Sequence, residues 1–257
     1  MKKTIICLLV AAVMMVPLSG CVLTKNSNIY KFAESRAYTA ARAGEAKDAT
    51  EIDIDWVAGS VRIVKTDKAE VSFEQSGGES EKDYLAYRQK GEKLSIKFLK
   101  SGMKIRNLDK DLTVYIPQTV EKIKINTVSA DTDAVAVKET GINSVSGKVN
   151  VSGVSEKLEI NTVSGEISIN SDGAEKIEVQ SISGDADFTG KAKSGSFKTV
   201  SGDVTVYTSA GFIAKVKTVS GNVYTKKECT VNGKEYIFGS AENKFEFNTV
   251  SGNIELN

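Results

Sequence analysis

Apolar positions recur in step along the second half of this chain, keyed to a repeated five-residue word. The word reads NTVSA at Asn126, NSVSG at Asn143, NTVSG at Asn161, QSISG at Gln180, KTVSG at Lys198 and Lys217, and NTVSG at Asn248. A variant, DWVAG, begins at Asp55. Counted from its last residue, the position five before is apolar throughout, from Ile54, Ile125 and Ile142 to Val216 and Phe247. Positions two and four after it are apolar in most units, as at Val149 and Val151 or Ile167 and Ile169. Alternation with period two predicts short strands with one buried face. Each unit is therefore read as two strands joined across Ser-Gly, with glycine accepting a positive φ in the bend.

The glycines Gly147, Gly165, Gly184, Gly202 and Gly221 follow one another at intervals of 18 or 19 residues. Units of that length, rich in Val, Ile, Thr and Ser, predict an all-β, single-domain β-solenoid spanning residues 50–257. Equivalent residues should then stack in successive coils about 4.8 Å apart. Two columns compete for the inside, Thr/Ser (Thr127 through Thr249) and Val/Ile (Val128 through Val250). An outward column of β-branched apolar residues would be adhesive, so Val is expected inward.

Both ends interrupt the repeat. Near the start, "YLAYRQKGEKLSIKFLK" reads as a hairpin turning at Lys90-Gly91-Glu92-Lys93. Near the end, the interval from Gly221 to Gly252 is 31 residues, and the inserted stretch carries the hairpin signal Asn232-Gly233. Such hairpins suit the ends of a solenoid, whose open edges need covering.

The repeated TVSG units, "EIDIDWVAGSVRIV" before them, "DLTVYIP" leading in and "KEYIFGS…NTVSGNIELN" at the end resemble a bacterial adhesin-like family of unknown function. The resemblance covers roughly residues 50–257. It implies a β-solenoid on secreted or membrane-linked proteins and brings no catalytic residue with it.

The first residues change the picture of where the chain resides. "MKKTIICLLVAAVMMVPLSGC" joins two lysines to an apolar run, Ile5 to Val16, and ends in Leu-Ser-Gly-Cys. Twelve apolar residues make a helix of about 18 Å, short of a hydrocarbon core of about 30 Å. The stretch reads as a signal peptide (residues 1–20) with a lipobox, and Cys21 as the acylated new N-terminus. Acylation, by palmitate among other chains, would hold the protein on a membrane facing away from the cytoplasm. Residues 21–49 read as a polar, Ala-rich tether with a short helix around 35–47. Cys7 leaves with the leader, and Cys229 remains alone, read as a small buried hydrophobe.

Charge and chemistry exclude several functions. The net charge is +1 and becomes −1 without Lys2 and Lys3, so there is no basic footprint for nucleic acid. Histidine is absent, which removes serine–histidine and cysteine–histidine catalysis. No cofactor or metal is expected. The position after each glycine includes Glu166, Asp185 and Asp203, an acidic column broken by Lys148. Such a column is a surface for a ligand, for Ca²⁺ in principle, or for the acid and base of a glycosidase. Turn residues solvated on the surface explain it more simply. Lys198, Lys217 and Arg62 would suit a lyase acting on acidic polysaccharide, and equally a solvated face. Tyr84, Tyr87, Tyr224 and Tyr236 are placed to stack on sugars or to pack the irregular ends. The reading is a non-enzymatic envelope lipoprotein, a binding or scaffold module with glycan or envelope proteins as partners, including in envelope-stress sensing. The alternative is a β-helix enzyme that degrades polysaccharide.

Overall fold

The computed structural model describes residues 29–105, 109–154 and 156–257, which fall into two compact units meeting at residues 135 and 136. Both are built almost wholly of strands and form a β-solenoid fold.

The first unit contains β1 (Thr39–Ala41), β2 (Ala43–Ala46), β3 (Glu51–Trp56), β4 (Gly59–Lys65) and β5 (Val71–Ser76). It continues through β6 (Leu85–Lys90), β7 (Lys93–Lys97), β8 (Lys110–Ile116), β9 (Lys122–Thr127) and β10 (Asp131–Val135). The expected hairpin is present, with β6 antiparallel to β7 and Lys90 opposite Lys93. The expected helix around 35–47 is not. A single 3-10 turn, Ser35–Ala37, leads into β1 and β2, which pair antiparallel with β6 and β5. Exposed strand edges outbid a short helix for these backbone groups, because an isolated helix of that length is marginal.

The second unit contains β11 (Glu139–Ser144), β12 (Val149–Val154), β13 (Lys157–Thr162), β14 (Ile167–Ser181), β15 (Ala186–Lys198) and β16 (Val204–Tyr207). After these come β17 (Phe212–Lys217), β18 (Val223–Thr225), β19 (Thr230–Asn232), β20 (Glu235–Phe238), β21 (Asn243–Asn248) and β22 (Ile254–Leu256). Parallel ladders hold the repeats in the expected register. Ile142 lies beside Ile160, Ile160 beside Val179, and Val179 beside Phe197. These side chains are buried, as are Val149, Ile167 and Ala186 on the facing wall. Toward the end the core turns aromatic: Phe197 stacks on Phe247 with centroids 5.4 Å apart, and Phe212 on Phe238 at 4.5 Å.

The last rung does not add to the end of the stack. β21 lies between β15 and β17, so that Phe247 has Phe197 on one side and Val216 on the other. β22 likewise lies between β16 and β18. The chain forms its outer rung first (212–225), turns back through the β19–β20 hairpin at Asn232-Gly233, and slots the final rung inside. β20 runs antiparallel along the other edge of β17 and covers it. The first unit repeats the device at its start, with β3 between β7 and β9, and β4 between β8 and β10.

The Thr/Ser column, not the Val column, faces inward. Thr162, Ser181, Thr199 and Thr249 are buried, whereas Val163, Ile182, Val200 and Val250 are partly exposed. The apolar residue five before the glycine is inward, so alternation carries the residue three before it inward too. Its hydroxyl then accepts the glycine N–H: Ser181 from Gly184 at 2.7 Å, Thr199 from Gly202 at 2.9 Å and Thr249 from Gly252 at 2.9 Å. A polar group enters the core because its bond is made there.

Candidate functional site

The word itself is built into the wall. Its serine donates from backbone N–H and from hydroxyl to the Val or Ile carbonyl of the neighbouring rung. Ser201 does so to Ile182 (2.9 and 3.3 Å) and Ser251 to Val200 (3.0 and 3.3 Å). Its glycine is needed for close approach rather than for backbone conformation. Gly165, Gly184, Gly202, Gly221 and Gly252 do not have positive φ. A Cβ on Gly184 would stand 2.0 Å from the carbonyl oxygen of Gly165, and one on Gly252 2.0 Å from that of Gly202. The expected positive φ is found at the variant word's Gly59 and at Gly147.

Glu166, Asp185 and Asp203 do lie in one column, and each is exposed and engaged. Glu166 pairs with Lys148 at 2.9 Å. Asp185 accepts the backbone N–H of Asp203 at 2.8 Å, and Asp203 accepts that of Asn253 at 2.6 Å. Asn253 continues the series by accepting the N–H of Asn222 at 3.1 Å. Asp185, Asp203 and Asn253 thus each cap the next rung's turn, a charge-assisted bond in the two carboxylate cases. Among the described residues no group of three or more Asp, Glu or Cys could hold a metal ion.

The basic residues singled out in the sequence do not converge. Lys198 and Lys217 flank Asn248 on the outer wall of the second unit, with Lys217 paired to Glu246 at 3.0 Å. Arg62 belongs to the first unit, 3.8 Å from Asp133. Among the aromatics, Tyr84 lies under the Arg42 guanidinium, Tyr87 packs edge-on against Phe73, and Tyr236 lies half-buried opposite Ala214. Tyr224 stands out into solvent, together with Tyr207, which the repeat pattern did not single out. Cys229 is partly exposed rather than buried. An open cleft of about 740 Å³ in the first unit includes Glu45, Lys68, Ser72, Glu74 and Tyr115 in its lining. Tyr115 donates to Glu74 there at 2.8 Å, which pushes the phenol's pKa up.

Two buried charged groups of the first unit went unnoticed in the sequence. Lys97 pairs with Asp55, whose other oxygen accepts from Asn126 Nδ2 at 2.7 Å. Desolvation opposes the charge on Lys97, but Asp55 outweighs it and raises the amine's pKa. Lys110 is fully buried. Its Nζ donates to the carbonyls of Phe98 and Asp83, the latter at 2.7 Å, and lies 4.0 Å from the Phe98 ring centroid. Burial pulls Lys110 down to about 7, against the pull of Asp83 in the other direction. Trp56 occupies the threonine's place in DWVAG and does a threonine's work at longer range, donating Nε1–H to the Lys110 carbonyl at 2.9 Å.

These walls, capped turns and interleaved rungs define a β-solenoid whose repeated residues hold the stack together. The chain matches the family Toastrack DUF4097 over residues 49–190 and again over 132–257, and it belongs to that family. No curated protein matches it. Among solved structures it is similar to a provisionally named cell adhesion protein from Clostridium sporogenes ATCC 15579. The two are 18% identical with a TM-score of 0.32, over 83% of this chain and 97% of that one. A provisionally named lipid binding protein from Parabacteroides distasonis ATCC 8503 is 18% identical with a TM-score of 0.44, over 84% and 96%. A provisionally named adhesin from Parabacteroides merdae ATCC 43184 is 11% identical with a TM-score of 0.44, over 84% and 95%. Superpositions this loose carry no functional argument.

Proposed function

We propose that this chain is a cell-envelope lipoprotein, held on a membrane by acyl groups on Cys21 and facing away from the cytoplasm. It presents a non-enzymatic scaffold or binding module. The leader and Cys21 lie outside the described residues, and the reading of them rests on the lipobox pattern of residues 1–21. No helix among the described residues is long and apolar enough to cross a membrane. In this reading residues 1–20 are the removed leader, 21–49 the connecting stretch and 50–257 the presented domain.

One observation carries the scaffold part: the repeated side chains are already used inside the stack. Threonine caps glycine, serine ties to the neighbouring rung, and Asp185 and Asp203 hold backbone N–H groups. Carboxylates so engaged are poorly placed to act as a paired acid and base, which weighs against the polysaccharide-degrading alternative. Partners would then meet the outward residues of the walls, which differ from rung to rung.

The anchoring is tested by expressing the full chain in a bacterial host fed radiolabelled palmitate. The parent is expected to take up label and to enter the detergent phase on Triton X-114 partition. Cys21→Ser is expected to lose both properties. Equal labelling of parent and variant would remove Cys21 from the account.

A further inference from the structure

Large hydrophobic side chains exposed to solvent are concentrated in one stretch of the described chain: Tyr207 (45%), Val219 (58%), Tyr224 (54%) and Val231 (56%). The two tyrosines share one outward face. Thr205 is in register with Glu255 and Glu255 with Tyr224, while Val206 and Leu256 are buried in the core. One residue further on, Tyr207, Asn257 and Lys226 continue the same strands, held by Asn257 N–H to the Val206 carbonyl at 2.8 Å and Lys226 N–H to the Leu256 carbonyl at 3.2 Å. The result is two rows of three residues, with Asn257 buried between Tyr207 and Lys226 and the tyrosines at diagonal corners. They are two strands apart, roughly 10 Å, and offset by two residues, roughly 7 Å, so their backbones stand roughly 12 Å apart.

The polar groups between them are arranged. Glu255 pairs with Lys226 at 2.6 Å and accepts from Asn257 Nδ2 at 3.1 Å. The pair cancels its own charge. Asn257 is only 7% exposed, yet its amide oxygen has no hydrogen-bond partner.

We infer that the outward patch formed by Tyr207, Tyr224, Glu255 and Lys226 is a binding platform for a neutral oligosaccharide. The ligand's chemistry follows from the surface. Tyr224, and the face of Tyr207 turned away from the Lys226 Nζ that lies 6.0 Å from its ring centroid, offer apolar surfaces for the C–H faces of sugar rings and phenol groups for their edges. A carboxylate and an ammonium between them match hydroxyl groups. A nucleic acid would need a basic surface, and the one ammonium of this patch, on Lys226, is paired to Glu255. A stable protein partner would need about 800 Å² on each side, far more than six residues present. The inference deepens the binding-module reading and rests on it only in assigning the module a ligand.

The test is calorimetric titration of the purified full-length chain with cellotetraose and chitotetraose, and with tetragalacturonate as the acidic counterpart. The neutral tetrasaccharides are expected to bind. Tyr207→Ala and Tyr224→Ala should each lower the association constant about tenfold, and the Phe variants should stay within about twofold. All four substitutions are at exposed positions, so melting temperatures should match the parent. No binding of either neutral sugar would overturn the platform, as would unchanged binding in the double Ala variant or a preference for tetragalacturonate. A chain that labels at Cys21 yet binds no tetrasaccharide sinks this inference and leaves the anchored-scaffold reading in place.

Discussion

Gly202→Ala is expected to lower the melting temperature of the protein by roughly 6–12 °C, whereas Gly141→Ala leaves it nearly unchanged. The difference comes from what each new Cβ would meet. At Gly202 it would lie 2.1 Å from the backbone carbonyl oxygen of Gly184, while at Gly141 nothing stands within 4 Å. Neither glycine has positive φ, so backbone strain does not enter. To relieve the clash the two rungs must part at the corner. That weakens the Ser201 N–H to Ile182 carbonyl bond at 2.9 Å, which crosses between the two rungs. Forced overpacking against backbone costs about 3 kcal/mol, and each kcal/mol moves the melting point of a chain this size about 2–4 °C. Thermal melts followed by circular dichroism decide it. Matching midpoints for the two variants would mean that rung spacing is softer than the glycine column implies.

Stability is expected to rise with pH between about 7 and 10, and Lys110→Met to abolish that rise. The folded-state pKa of Lys110 is about 7, below its ordinary value of 10.5. Below pH 7 both folded and unfolded chains hold the proton, so the slope is flat. Between 7 and 10.5 the unfolded chain binds more protons than the folded one, and raising the pH removes a cost of folding. Nζ has three acceptors in reach, the carbonyls of Phe98 and Asp83 and, at 3.4 Å, Gln75 Oε1, so the neutral amine with its two N–H donors gives up only the longest contact. The gain across the window is on the order of 3 kcal/mol. Lys97 has the opposite sign: its pKa is raised, so its contribution is full below 10.5 and is lost only above that. It therefore does not interfere. Urea midpoints for parent and variant at several pH values provide the measurement, and parallel curves would show that Lys110 keeps its proton throughout.

The period, the strand pairs and both hairpins were legible because alternation and turn residues report directly on local geometry. The inward column was misjudged because the adhesiveness of an outward Val column was weighed and the bond open to the Thr/Ser hydroxyl was not. Its bond to the glycine N–H three residues on makes it an interior group. Spatial order was hidden for a different reason. Lys198, Asn248 and Lys217 open nearly identical words, so nothing local says that Asn248 lies between the two lysines. Lys110 and the Lys97–Asp55 pair sit in the irregular rungs, where no repeat exposes an anomaly. The one available signal was DWVAG, whose aspartate and tryptophan depart from the word and face both of these groups. Tyr207 escaped notice because strand alternation marks it outward like any polar neighbour, and only its exposure sets it apart.

The interleaved final rung has a consequence for how the chain reaches this state. A solenoid can zip up one coil at a time, each new coil templated by the one before it. Here the coil of residues 212–225 leaves the ribosome before the coil of 243–256 that separates it from residues 194–207. The second unit cannot close by simple growth from its earlier coils. Either the outer coil waits undocked, or it docks against β15 in a pairing that must later open. Closure thus depends on residues 243–256, and this part of the wall can seal only once they have been made.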